Sequence, residues 1–147
     1  MSRIHRSGRT NRIPPEEANR IKQKLLGGLG FPFAKVANSL YLIQGRRVNV
    51  KLTSPRASGR YWFNIQRRAD SYLWICLNPR NQRWDAYYWI PASTMISLIR
   101  HGSYRDWTWA RRGREIPNFM IDTKKDMYIV GRTMISISRF RDLKVPP

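Results

Sequence analysis

Between Tyr41 and Gln66 the chain reads YLIQGRRVNVKLTSPRASGRYWFNIQ, and its middle, Arg47 to Thr53, alternates apolar and polar residues without a break. A period of two fits a strand and no helix. It places Val48, Val50 and Leu52 on one side and Arg47, Asn49, Lys51 and Thr53 on the other. The run Leu40 to Ile43 precedes it across Gln44-Gly45, where glycine supplies the positive φ of a tight hairpin turn. The register read from that turn sets Tyr41 across from the polar face carrying Asn49 and Lys51. After a loop rich in Ser, Pro and Gly, Tyr61, Phe63 and Ile65 alternate again as a third strand.

Helices and further strands frame this hairpin. Pro15 to Leu26 predicts a helix: Pro15 suits the first turn, Glu16 and Glu17 complement the positive end, and Ala18, Ile21 and Leu25 share a face. Gly27-Gly28 is expected to stop it, and Gly30 to Phe33 reads as a loop leading to the hairpin. Tyr72 to Leu77 is a nearly continuous apolar run, typical of a strand covered on both faces. Asn78 to Asn81 is a turn, Trp84 to Ile90 a returning strand, and Ser93 caps a short helix that ends at Gly102. The expected fold is α/β, a mixed central sheet of about five strands with flanking helices. Residues 1–13 form an arm, 14–102 the core, and 103–147 a basic, aromatic extension packed on the core, with a small hairpin around Gly131-Arg132. Lys144 to Pro147 are expected to fray.

Charge narrows the partners. The 147 residues, enough for one domain, carry 28 Lys and Arg against 9 Asp and Glu, a net charge of +19. A polyanion is the natural counterweight, and nucleic acid is the first candidate. Membrane binding lacks both a long apolar run and a basic amphipathic helix. The single Cys76 rules out an internal disulfide and suits a reducing, intracellular compartment. Arg3, Arg6, Arg9 and Arg12 recur among small polar residues as a basic arm that contacts nucleic acid, although an acid-free start with Arg and Ser also suits an organellar transit peptide. Tyr104, Trp107 and Trp109 with Arg111, Arg112 and Arg114 mix stacking surface with phosphate-binding charge, while the tryptophans would equally cover the sheet. Arg47, Lys51, Arg56 and Arg60 add phosphate-contact candidates around the hairpin. Neither histidine stands in ligand spacing with Cys76, and no P-loop or dinucleotide fingerprint occurs.

The hairpin whose second strand carries Asn49-Val50-Lys51 resembles the PD-(D/E)XK nuclease superfamily. The YLWICL strand, the DAYYWIP strand and the helix that follow extend the likeness over Pro15 to Gly102. The resemblance implies a restriction-endonuclease-like fold. It also implies a site in which an Asp on the first strand and an acid or Gln two residues before the Lys hold Mg²⁺, while the Lys orients the attacking water. This chain has Asn49 where the second acid stands, and Asn38 to Leu42 offers none for the first, with Tyr41 taken as the facing position. Glu17 or Glu16, on the early helix, and Asp70, beside the apolar strand, are then the candidate substitute metal ligands; at a helix start and a strand flank such acids also serve as ordinary surface charges.

Two functions follow. One is a nucleic-acid-binding protein, with DNA favoured over RNA, on a nuclease-like scaffold with weak or lost cleavage. The other is a Mg²⁺-dependent DNA endonuclease of the homing or repair kind with migrated acids. A basic subunit of a ribonucleoprotein assembly is a further alternative, and a homo-oligomer stays open.

Overall fold

The computed structural model describes residues 13–65, 68–101, 118–130 and 132–147. Helix α1 spans Pro15–Leu29, with Pro at its start and Glu16 and Glu17 in its first turn. Gly27 and Gly28 lie inside it rather than ending it. The stop is Gly30, at φ 86°, whose N–H donates to the Gly27 carbonyl at 3.1 Å. Glycine inside a helix costs about 1 kcal/mol per residue, and packing of Leu29 against the sheet-side core keeps the helix going past the pair.

The strands in chain order are β1 (Phe33–Ala37), β2 (Leu40–Ile43), β3 (Arg46–Thr53), β4 (Tyr61–Asn64), β5 (Ser71–Asn78), β6 (Arg83–Pro91), β7 (Asn118–Asp122), β8 (Met127–Val130) and β9 (Thr133–Ser136). Helix α2, Ala92–His101, follows β6 directly. A mixed five-stranded sheet has the order β1-β2-β3-β5-β6. Its first three strands form an antiparallel meander, β5 joins β3 in parallel, and β6 returns antiparallel.

The α/β class and the mixed five-stranded sheet are as expected; one of the five strands is not. Tyr61 to Ile65 was expected in this sheet, but β4 leaves it and pairs with β7 in a second, antiparallel sheet of order β4-β7-β8-β9. Its place is taken by β1, which starts at the last residue of the expected Gly30 to Phe33 loop and runs on through residues to which the sequence reading gave no element. Alternation tells that a strand exists and is silent on its partner. The hairpin around Gly131 is β8–β9. These C-terminal strands share a sheet with β4.

Strand β5 sits between two apolar layers. Leu73 and Ile75 face α1 with Tyr41, Ile43, Val48, Val50, Leu25 and Leu26. Tyr72, Trp74 and Cys76 face the second sheet and α2, meeting Phe63, Phe119, Met95 and Leu98. Both faces are covered, which is why the run from Tyr72 to Leu77 has no polar interruption. Phe63 stacks on Trp74 with centroids 5.0 Å apart and planes 6° apart. Burial pushes the Cys76 thiol pKa up.

The chain is fastened to the core as far as Leu143. Tyr88 donates to Asp126 Oδ1 at 2.6 Å, Arg141 donates to the same oxygen at 2.7 Å, and Tyr87 donates to the Leu143 carbonyl at 2.6 Å. Arg46 reaches the Pro147 carbonyl at 3.4 Å. Among the described residues no helix is long and apolar enough to cross a membrane.

Candidate functional site

The hairpin turn is Gln44-Gly45, and both residues have positive φ, 54° and 76°. A two-residue turn of this kind pairs Ile43 with Arg46, and the register then sets Tyr41 opposite Val48 and Leu40 opposite Asn49. The expected pairing of Tyr41 with Asn49 is therefore wrong by one residue. It would have required a three-residue loop. One step of register moves a side chain to the other face of the sheet, and Tyr41 accordingly lies fully buried on the α1 side, its ring 6.1 Å from Phe33. Burial raises its phenol pKa, and the Gln23 side chain offsets part of that rise.

Asn49, Lys51 and Thr53 share the opposite face of β3, beside Tyr72, Trp74 and Cys76 of β5. The alternation identifies this as the polar face of the strand and does not say what covers it. Asn49 is 1% exposed and Lys51 is half-buried. Asn49 Oδ1, Thr53 Oγ1 and Trp74 Nε1 are buried without a hydrogen-bond partner among the described residues. Each such group costs about 1–3 kcal/mol, so polar atoms are kept on this lane, on either side of Lys51, against the interest of stability.

A residue that the sequence reading passed over lies on the α1 side of the sheet. Lys22 lies inside the apolar stripe of α1 with Ile21, Leu25 and Leu26. The signal was present, since positions 18, 21, 22, 25 and 26 form one helical face and Lys22 interrupts it. Its amine pKa is lowered to about 8, first by burial and then by repulsion from Lys51 and Lys35.

The candidate metal ligands are elsewhere. Asp70 Oδ2 accepts from the Arg47 N–H at 2.8 Å, and the Asp70 N–H donates to the Arg47 carbonyl at 2.9 Å. It thereby pins the start of β3, four residues from Lys51. Glu17 is ion-paired with Arg20 at 3.6 Å in the first turns of α1. No group of three or more His, Cys, Asp or Glu converges among the described residues. The position facing Asn49 is Leu40, so the place the resemblance assigns to Mg²⁺ offers one neutral amide oxygen where hard cations need carboxylates, and the residues present do not fit the ion.

The other phosphate-contact candidates divide. Arg47 is exposed, and Arg56 lies over the Trp62 ring at 4.5 Å. Arg60 is engaged with Asp122 at 3.8 Å, a tie between β4 and β7. Arg3, Arg6, Arg9, Arg12, Arg111, Arg112 and Arg114, with Tyr104, Trp107 and Trp109, lie outside the described residues. Comparison with protein-family models, curated proteins and solved structures gives no match to this chain.

Proposed function

We propose that the chain is a nucleic-acid-binding protein, with duplex DNA its first candidate ligand, on a scaffold akin to the PD-(D/E)XK nucleases and without their metal chemistry. The observation that carries this reading is the sign of the charge at the candidate site. The positions that a metal-dependent nuclease fills with carboxylates hold Leu40 and Asn49 beside Lys51, so the place carries a cation and lacks the anionic ligands a divalent ion needs, which favours a phosphate over a metal. The excess of cations supports it, since pairing all 9 acids one to one still leaves 28 − 9 = 19 Lys and Arg. The order helix, antiparallel meander and parallel β5, with Lys51 on the central strand, supports the likeness of scaffold. The second sheet is a departure from it.

Phosphate neutralisation releases condensed counterions, so affinity for a duplex should fall steeply with salt. About six contacts correspond to roughly a thousandfold loss between 50 and 200 mM salt. Fluorescence anisotropy of a labelled duplex across that range measures the slope, and a flat response would overturn the reading.

A further inference from the structure

Along β4, Tyr61 and Phe63 point into the core, so Trp62 points to the other face of the second sheet. The registers then set Trp62 opposite Met120 on β7, Met120 opposite Ile129 on β8, and Ile129 opposite Met134 on β9. Neighbouring strands lie about 4.8 Å apart, so these four side chains form a row about 14 Å long across the whole sheet. None of the four belongs to either apolar core. Ile129, inside the row, is buried; Trp62 and Met120 are partly exposed, and Met134 at the edge is 52% exposed.

Cations border this row. The Arg56 guanidinium lies 4.5 Å from the Trp62 ring centroid. It makes no ion pair among the described residues, and its buried Nε has no hydrogen-bond partner there. Arg60 donates to the Met120 sulfur at 3.7 Å and reaches Asp122 at 3.8 Å. Asp122 is the one acid in the four strands, and its other oxygen accepts from the Lys124 and Lys125 N–H groups. The strands therefore hold no unengaged carboxylate to repel an anion, while Lys124, Lys125 and Arg132 stand exposed in the turns at the two ends of the face.

We propose that this outer face binds a single-stranded stretch of nucleic acid, with one base stacked on Trp62, Met120 and Met134 extending the apolar floor, and Arg56 meeting the adjoining phosphate. This deepens the nucleic-acid reading and rests on it. A flat apolar row needs bases whose ring faces are free, which a duplex stacks away and a single strand offers. Thioethers pack well at ring edges, and a guanidinium held on an aromatic face keeps its charge beside the stacking surface. A second copy of the chain suits the face poorly, because two molecules of net charge +19 repel each other where a polyanion is attracted.

Fluorescence anisotropy of a labelled oligothymidylate of about 12 nucleotides, titrated with the full chain beside a duplex of equal length, tests the site. Met134→Glu sets a carboxylate against the phosphates and should weaken single-strand binding about tenfold. Val36→Glu, at a position 50% exposed on β1 of the first sheet, makes the same change in net charge and should cost less than about twofold. Trp62→Ala should weaken binding about tenfold with the salt slope unchanged, and Trp62→Phe should restore most of the loss. Arg56→Gln should shallow the slope by about 0.7. A residue that merely held the fold would not separate affinity from salt slope in this way. Equal losses from Met134→Glu and Val36→Glu would show attraction by charge alone and overturn the site. Duplex binding without single-strand binding also overturns it and leaves the nucleic-acid reading standing. Single-strand binding that needs Trp62 and Met134, with no duplex binding, keeps the site and overturns duplex DNA as the ligand. A dimer in sedimentation that Met134→Glu dissociates would give the face to a second copy and overturn the proposal.

Discussion

Replacing Asn49 with leucine should make the protein more stable and a poorer ligand-binder at once. The two side chains have the same branched shape, and Asn49 stands between Leu40 on β2 and Tyr72 on β5, both able to accept an isobutyl group. The Asn49 carbonyl oxygen is buried with no hydrogen-bond partner among the described residues, so the substitution removes a desolvation cost of about 1–3 kcal/mol and sacrifices no hydrogen bond among them. For a chain of this size each kcal/mol moves the melting temperature by about 2–4 °C, so a rise of about 6 °C is expected at the middle of that range. Differential scanning calorimetry at neutral pH measures it, and duplex titration on the same preparation reports binding. Most substitutions at a fully buried position destabilise, which makes the expected sign informative. A melting temperature lowered by several degrees would mean that the amide is paired in the native protein, and the polar lane along β3 would then be a structural network rather than a site kept at the expense of stability.

Two further outcomes follow from the same geometry. The folded pKa of Lys22, about 8, lies below its ordinary value of 10.5, so below pH 8 both states are protonated and the folded state bears the full cost; between pH 8 and 10.5 only the unfolded state stays protonated, and stability rises with pH. Lys22→Met should therefore stabilise the protein by about 2–3 kcal/mol at pH 7, with the difference from wild type narrowing as pH rises to 10.5; urea melts that show a constant difference would contradict this. For the site on β3, Leu40→Asp with Asn49→Glu places two carboxylates opposite one another beside Lys51, and plasmid nicking in Mg²⁺ that Lys51→Ala removes is the expected result, whereas Tyr41→Asp with Asn49→Glu, with its acids on opposite faces of the sheet, should give none.

Much of this architecture is legible in short stretches of sequence. The alternation of Arg47 to Thr53, the apolar run of β5, the Gln44-Gly45 turn and the acidic start of α1 are local patterns, and each appears in the structure where the pattern places it. The excess of Lys and Arg is equally plain. The failures share a cause. Periodicity gives the two faces of a strand without saying what covers them, so Asn49 and Lys51 read only as a polar face, while β4 and β7 bring Phe63 and Phe119 down onto Trp74 on that side. It gives β4 its alternation without its partner, and β4 pairs with a strand more than fifty residues later in the chain. Lys22 shows the converse case, a visible break in an apolar stripe whose lowered pKa comes first from the burial of that stripe. Strand, turn and helix are set by neighbours in sequence; register and burial are set by the apolar area that distant segments cover when they pack, and no local pattern records it.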